Sequence, residues 1–227
     1  MTELLERLFN ASVEIGGYPI YWREIVGNLF GFASALGGLR RRVWAWPVGI
    51  IGNVLLFTVF VGAAFALPDG RHPLYGQAFR QVFFIITSVY GWWTWSQARR
   101  GRTPDEPAIT PRWATARERT VYLVVALIGV VVAQAVFAAI GAGWDAPRWY
   151  HWSDAWIFVG SILATYAMAR GWTDFWLVWI AVDAVGIPLL WTATYYPSAV
   201  LYLVYTALIV YGFVVWRRAA IKERATS

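Results

Sequence analysis

FWLVWIAVDAVGIPLL, Phe175 to Leu190, is a nearly unbroken apolar run with one carboxylate, Asp183, near its middle. An ionisable group at that depth in hydrocarbon is costly, so it faces a polar cavity or a partner and marks a pathway. The run is part of a stretch long enough to cross a bilayer, which takes about 20 residues for ~30 Å of hydrocarbon. Its neighbours in the sequence repeat the pattern. With 59% hydrophobic residues, 14% charged residues and 16 Trp in 227, the chain is too apolar for a soluble domain.

The apolar runs predict an all-α integral membrane protein of seven transmembrane helices, over 22–39, 43–66, 78–97, 120–141, 153–169, 173–191 and 197–216. Residues 1–21 read as an N-terminal segment at the membrane surface, 98–119 as a basic loop and 217–227 as a basic tail. No signal peptide is evident in MTELLERLFN, and no soluble domain is expected.

The net charge of +6 is a matter of topology rather than of nucleic-acid binding. With the N-terminus and the loops after spans two, four and six on one side, that side holds Arg7, Arg23, Arg71, Arg80 and Arg148. The other side holds the remaining fourteen of the 19 basic residues, among them Arg40–Arg42, Arg112, Arg170 and Lys222. By the positive-inside rule the N-terminus lies outside and the C-terminus in the cytoplasm.

Cysteine is absent, which removes disulfides and thiolate chemistry. His72 and His151 are placed in outside loops with no metal-ligand spacing around them. A phosphate-binding GxxxxGK[ST] loop is also missing, so no ATPase, metal or cofactor is expected.

The sequence repeats itself. A shift of 130 residues aligns Trp22 with Trp152, Glu24 with Asp154, Arg40 with Arg170, Trp46 with Trp176, and Asn53 with Asp183. Further on the offset falls to 121, matching YGWWTW (Tyr90–Trp95) with YGFVVW (Tyr211–Trp216); LPDGRHPLYGQ, after span two, absorbs the nine residues. Spans one to three (22–97) and five to seven (152–216) therefore form two three-helix repeats, with span four (120–141) linking them. The extra crossing gives both repeats the same orientation, a parallel arrangement used by small transporters.

Trp46, Gly49 and Asn53 match Trp176, Trp179 and Asp183 at spacing i, i+3, i+7, which is one helix face. Asn53 lies ten residues beyond Val43, about 15 Å into the membrane at 1.5 Å per residue. A pseudo-twofold along the membrane normal would bring Asn53 and Asp183 to one central cavity. Interhelical bonding is the competing role for Asn53, and equally for Gln81 and Gln134. Trp46, Trp176, Tyr90 and Tyr211 lie near the cytoplasmic interface, where an aromatic belt is the alternative to a site. Trp179 sits one turn deeper, in position to stack on a ligand. Pro188, with Gly186, is expected to loosen or kink its helix just beyond Asp183.

On Trp176, Trp179 and Asp183, on WPVGIIGN (Trp46–Asn53) and on SVYGWWTW, the chain resembles the PnuC family of bacterial nicotinamide riboside transporters. The resemblance covers all seven spans. It implies a fold similar to a full-length version of the SWEET sugar transporters (3+1+3), a homotrimer in the bacterial inner membrane, and facilitated diffusion of a vitamin that a separate kinase traps inside. The family's motif ends in Asn where this chain has Asp183, and family relatives carry thiamine or riboflavin.

A flat cationic ring on Trp179 would gain cation-π attraction, with Asp183 as counter-charge; riboflavin needs neither. Uniport suits a cation, since the potential contributes about 2.3 kcal/mol per charge per 100 mV. A sugar uniporter also stacks on aromatics but gains little from a deep carboxylate. An enzyme needs a nucleophile, a metal or a paired acid and base, and Asp183 is the one acid placed at mid-depth. Nicotinamide riboside transport is thus the expectation, with Asp183, Asn53, Trp179, Trp176, Trp46, Gln81, Tyr90 and Tyr211 at the substrate site.

Overall fold

The computed structural model describes residues 11–15, 18–62, 75–103, 106–140, 148–192 and 196–226. Among them are a short hairpin, β1 (Ser12–Ile15) and β2 (Tyr18–Tyr21), and seven helices. The helices are α1 (Trp22–Leu39), α2 (Ala45–Gly62), α3 (Tyr75–Ala98), α4 (Ala116–Ala139), α5 (Arg148–Ala169), α6 (Phe175–Thr192) and α7 (Tyr196–Thr226). The chain forms two compact units, residues 1–92 and 93–227, with the last turn of α3 belonging to the second.

Each helix overlies one expected span, and three differences at their ends are instructive. Within the segment expected at the membrane surface, residues 12–15 and 18–21 pair antiparallel, with Ser12 opposite Tyr21 and Ile15 opposite Tyr18. The alternation in SVEI and YPIY supports pairing over so short a length. MTELLERLFN and most of the loop LPDGRHPLYGQ lie outside the described residues. α5 begins at Arg148, so His151 sits in its first turn rather than in a loop. Helix α7 runs to Thr226 because RRAAIKERAT is rich in strong helix formers, so the basic residues beyond 216 continue the helix. The helix α6 stays continuous across Pro188.

In the first unit α1 and α2 cross with their backbones close. A Cβ added at Gly52 would meet the Gly27 carbonyl at 2.9 Å, and one at Gly27 would meet Leu56 at 2.9 Å. Ser34 donates to the Ala45 carbonyl (2.7 Å), tying α1 to the first turn of α2. Arg23, near the start of α1, is buried, and donates to both the carbonyl and the hydroxyl of Thr58 at 2.9 Å.

In the second unit α4 packs on α5 through Gly129 against Val159 and through the Ala133, Ala155, Val159 cluster. α5 packs on α6 through Ile157, Val182 and Leu189, and Trp156 Nε1 donates to the Ala181 carbonyl (3.2 Å). The rest of α4 shows Leu123, Leu127, Ile128, Val131 and Val132 to its surroundings. An apolar helix with its side chains outward is what a lipid environment allows and water does not. Two described helices, Ala116–Ala139 and Val200–Lys222, are long and apolar enough to cross a membrane; Ala45–Val59 and Phe175–Leu189 are shorter apolar helices.

The segment before α4 is more than a basic loop. Arg112 pairs with Trp172 as a parallel bridge: Arg112 N–H donates to the Gly171 carbonyl (3.0 Å) and Thr173 N–H to the Arg112 carbonyl (2.7 Å). The Asp174 carboxylate accepts from Ala114 N–H (2.8 Å) and from Arg119 Nε (2.7 Å). Ala108, Ile109 and Ala114 are buried. A capping box between Thr115 and Glu118 then starts α4, and Glu118 also takes a bidentate pair from Arg112 at 2.6 and 2.8 Å. This clasp holds the α5–α6 turn against the start of α4.

Helices α1 and α5 end alike. Arg42 N–H reaches back to the Gly37 carbonyl and Arg41 N–H to Gly38; 130 residues on, Trp172 reaches Ala167 and Gly171 reaches Met168. This paired closure requires a left-handed residue after the helix, which Gly171 (φ 70°) takes freely and Arg41 (φ 56°) takes at a cost.

Candidate functional site

In the first unit Trp46, on the first turn of α2, is buried, and its ring lies on Gly91 of α3: a Cβ at Gly91 would stand 2.5 Å from three ring carbons. Asn53, two turns further along α2, is half-buried and makes no side-chain hydrogen bond among the described residues. Gln81 of α3 is buried with its Oε1 sealed and unpartnered, an expensive arrangement for an amide. Tyr90, next to Gly91, is half-buried.

The second unit shows the same packing, with Trp176 in the place of Trp46 and Gly212 in the place of Gly91. Trp176, on the first turn of α6, lies on Gly212 of α7, leaving no room for a Cβ there. It joins Phe175 (centroids 4.3 Å apart) and Trp216 (6.0 Å), and Trp216 meets Trp95 at 6.2 Å. Trp95, Trp216 and Phe175 are almost completely buried, and Trp95 Nε1 donates to the Ala169 carbonyl (3.2 Å). The Trp176 indole N–H is sealed in this cluster with no acceptor. The tryptophans at the helix starts are therefore packed inward, which a lipid-facing belt would not require.

Trp179, half-buried, packs on the Ile157, Val182, Leu189 cluster beside Trp156. Asp183, one turn beyond it, is 4% exposed. Its Oδ2 accepts a hydrogen bond from Thr206 Oγ1 of α7 at 2.7 Å, and Thr206 also lies 2.8 Å from the Tyr202 carbonyl. Tyr211 is 60% exposed, and Gln134 of α4 is half-buried with its Oε1 sealed and unpartnered. Within the second unit the structure thus brings Trp176 into an aromatic cluster and Asp183 onto a neighbouring helix, while Tyr211 points outward.

Sequence reasoning missed Thr206. Threonine in TALIV carries no periodic or compositional signal, because its partner sits 23 residues away on another helix. It missed Glu118 and Asp174 for the same reason: their importance lies in a fold-back of the chain.

Comparison with known proteins accords with this architecture. Residues 21–218 match the family described as nicotinamide mononucleotide transporter. The riboflavin/roseoflavin transporter RibM of Streptomyces davaonensis is 35% identical over 200 residues, 87% of this chain and 85% of that protein. The nicotinamide riboside transporter PnuC of Escherichia coli is 24% identical over 238 residues, 96% and 94% of the two chains. The crystal structure of the vitamin B3 transporter PnuC superposes with a TM-score of 0.68 at 20% identity, covering 88% of this chain and 83% of that one. The chain belongs to the nicotinamide mononucleotide transporter family, and it is a PnuC-type membrane transporter, not an enzyme.

Proposed function

We propose that this member of the family carries a flat heteroaromatic vitamin by facilitated diffusion across the bacterial inner membrane, and that the vitamin is riboflavin. The observation that carries the reading is the 35% identity to a protein named for riboflavin and roseoflavin. The geometry is compatible with it: Asp183 hydrogen-bonds the Thr206 hydroxyl through Oδ2, and its other oxygen is left to accept a hydrogen bond from a neutral ring. Nicotinamide riboside, the substrate expected from the sequence, is the second reading. It is favoured by the acid within the tryptophan motif and by the 24% identity to a nicotinamide riboside transporter. In either case phosphorylation by a separate kinase retains the vitamin inside.

The proposed architecture is two parallel repeats, α1–α3 and α5–α7, linked by α4, with the N-terminus outside and the C-terminus in the cytoplasm. Support comes from the matched helix closures at Arg41 and Gly171 and from the matched tryptophan-on-glycine packing at Trp46 and Trp176. Orientation rests on the fourteen-to-five arginine and lysine asymmetry, and a homotrimer on the family resemblance. In this reading each unit offers path residues of its own: Asn53, with Trp46, Gln81 and Tyr90, in the first, and Asp183, with Trp179 and Trp176, in the second. Tyr211, exposed, serves at the membrane interface.

A thermal-shift comparison of the purified protein with riboflavin, nicotinamide riboside and thiamine tests the assignment, since a ligand that binds only the folded state raises its stability by mass action. Riboflavin should give the largest rise. A rise with nicotinamide riboside alone restores the cationic reading, and no rise with any of the three sinks both.

A further inference from the structure

Asp183 has two carboxyl oxygens, and the fold treats them differently. Oδ2 is 2.7 Å from Thr206 Oγ1. No described residue hydrogen-bonds Oδ1, and Oδ1 is not among the sealed polar atoms of the protein. The Thr206 hydroxyl carries one proton and has two acceptors in reach, Oδ2 and the Tyr202 carbonyl at 2.8 Å. If Asp183 is ionised, Thr206 donates to Oδ2. If it is protonated on Oδ2, the carboxyl donates to Thr206, which passes its own proton toward Tyr202. In both of these states Oδ2 is occupied by α7 and Oδ1 is a bare acceptor, whereas a proton on Oδ1 would make that oxygen a donor. Thr206 is the one described side chain that hydrogen-bonds Asp183.

We propose that Thr206 is a positioning residue for transport: it fixes the rotation of the Asp183 carboxyl and leaves Oδ1 as the one oxygen a substrate meets. The site then selects a substrate that presents an N–H or O–H donor at that point, as the isoalloxazine imide, a ribityl hydroxyl or a carboxamide does. The inference rests on the reading that position 183 lines the substrate path. It makes Thr206, on the last helix and outside the tryptophan motif, part of the specificity of the site.

The test is a double-mutant cycle on the purified full-length protein, with riboflavin and nicotinamide riboside affinities measured by calorimetry and the cycle run on the one that binds. Val replaces Thr with nearly the same shape and no hydroxyl. Thr206→Val should weaken binding roughly 5- to 30-fold, the usual effect of losing one such hydrogen bond, and Thr206→Ser should restore it. Because Thr206 acts through Asp183, adding Thr206→Val to Asp183→Ala should weaken binding no further. Fully additive losses, failure of Ser to restore affinity, or wild-type affinity in Thr206→Val while Asp183→Ala loses binding would each overturn the proposal and leave the substrate path intact. Wild-type affinity in Asp183→Ala would instead remove position 183 from the path, and this inference with it.

Discussion

Placing one methyl group at Gly91 is the most direct test of the packing that joins Trp46 to α3. The Gly91→Ala Cβ would stand 2.5 Å from three carbons of the six-membered ring of Trp46. Carbon atoms rest at about 3.5–4.0 Å, so the ring or the helix must withdraw by roughly 1 Å. Trp46 is 3% exposed and Gly91 is buried, so there is no free direction for that movement. Overpacking of this kind costs about 1–3 kcal/mol. Gly91→Ala should therefore lower the melting temperature of the detergent-solubilised protein. Trp46→Phe, which lacks the carbons that collide, should recover part of the loss when combined with it. Neutrality of Gly91→Ala, or a double variant no more stable than the sum of its parts, would refute the contact as drawn. Gly212→Ala should behave in the same way against Trp176, because the ring there lies as close.

Helix closure gives a second pair: Gly171→Ala, at φ 70°, should cost about 1 kcal/mol, while Arg41→Gly, at φ 56°, should gain up to about 1, both measurable by chemical denaturation. The Glu118 carboxyl is held down to about 2 from the ordinary 4.5, chiefly by the Arg112 hydrogen bond and then by Thr115 N–H. A depressed carboxyl contributes its stability above the unfolded value and loses it as pH falls. Melting temperature should accordingly drop between about pH 4.5 and 2 by more in the wild type than in Glu118→Gln. Transport should run in both directions in liposomes without a kinase. Accumulation beyond the imposed potential, or dependence on a proton or sodium gradient, would contradict facilitated diffusion.

The seven helices were legible in the sequence because a lipid environment leaves the chain little choice. Backbone groups must be satisfied within the segment, so each long apolar run is a helix, and α1 begins and ends where its run does. Two local features follow matched residue types as well: the same helix closure recurs 130 positions apart, and the same tryptophan-on-glycine contact is made by tryptophans 130 apart on glycines 121 apart. Asp183 announced itself by chemistry alone, as a carboxyl in hydrocarbon.

Its partner did not. Thr206 and Asp183 meet only because α6 and α7 pack side by side, and a hydroxyl that hydrogen-bonds across helices looks, in sequence, like any threonine that bonds back to its own helix. The segment before α4 read as a charged loop because arginines at a membrane surface dominate its composition. Only the fold-back of 108–114 onto Gly171–Asp174 turned Arg112, Glu118 and Asp174 into a bonded clasp. Sequence determined what each segment of this protein must be, since solvation acts locally on every residue. Tertiary structure decided which polar groups face one another, since hydrogen bonds depend on distances between residues far apart in the chain.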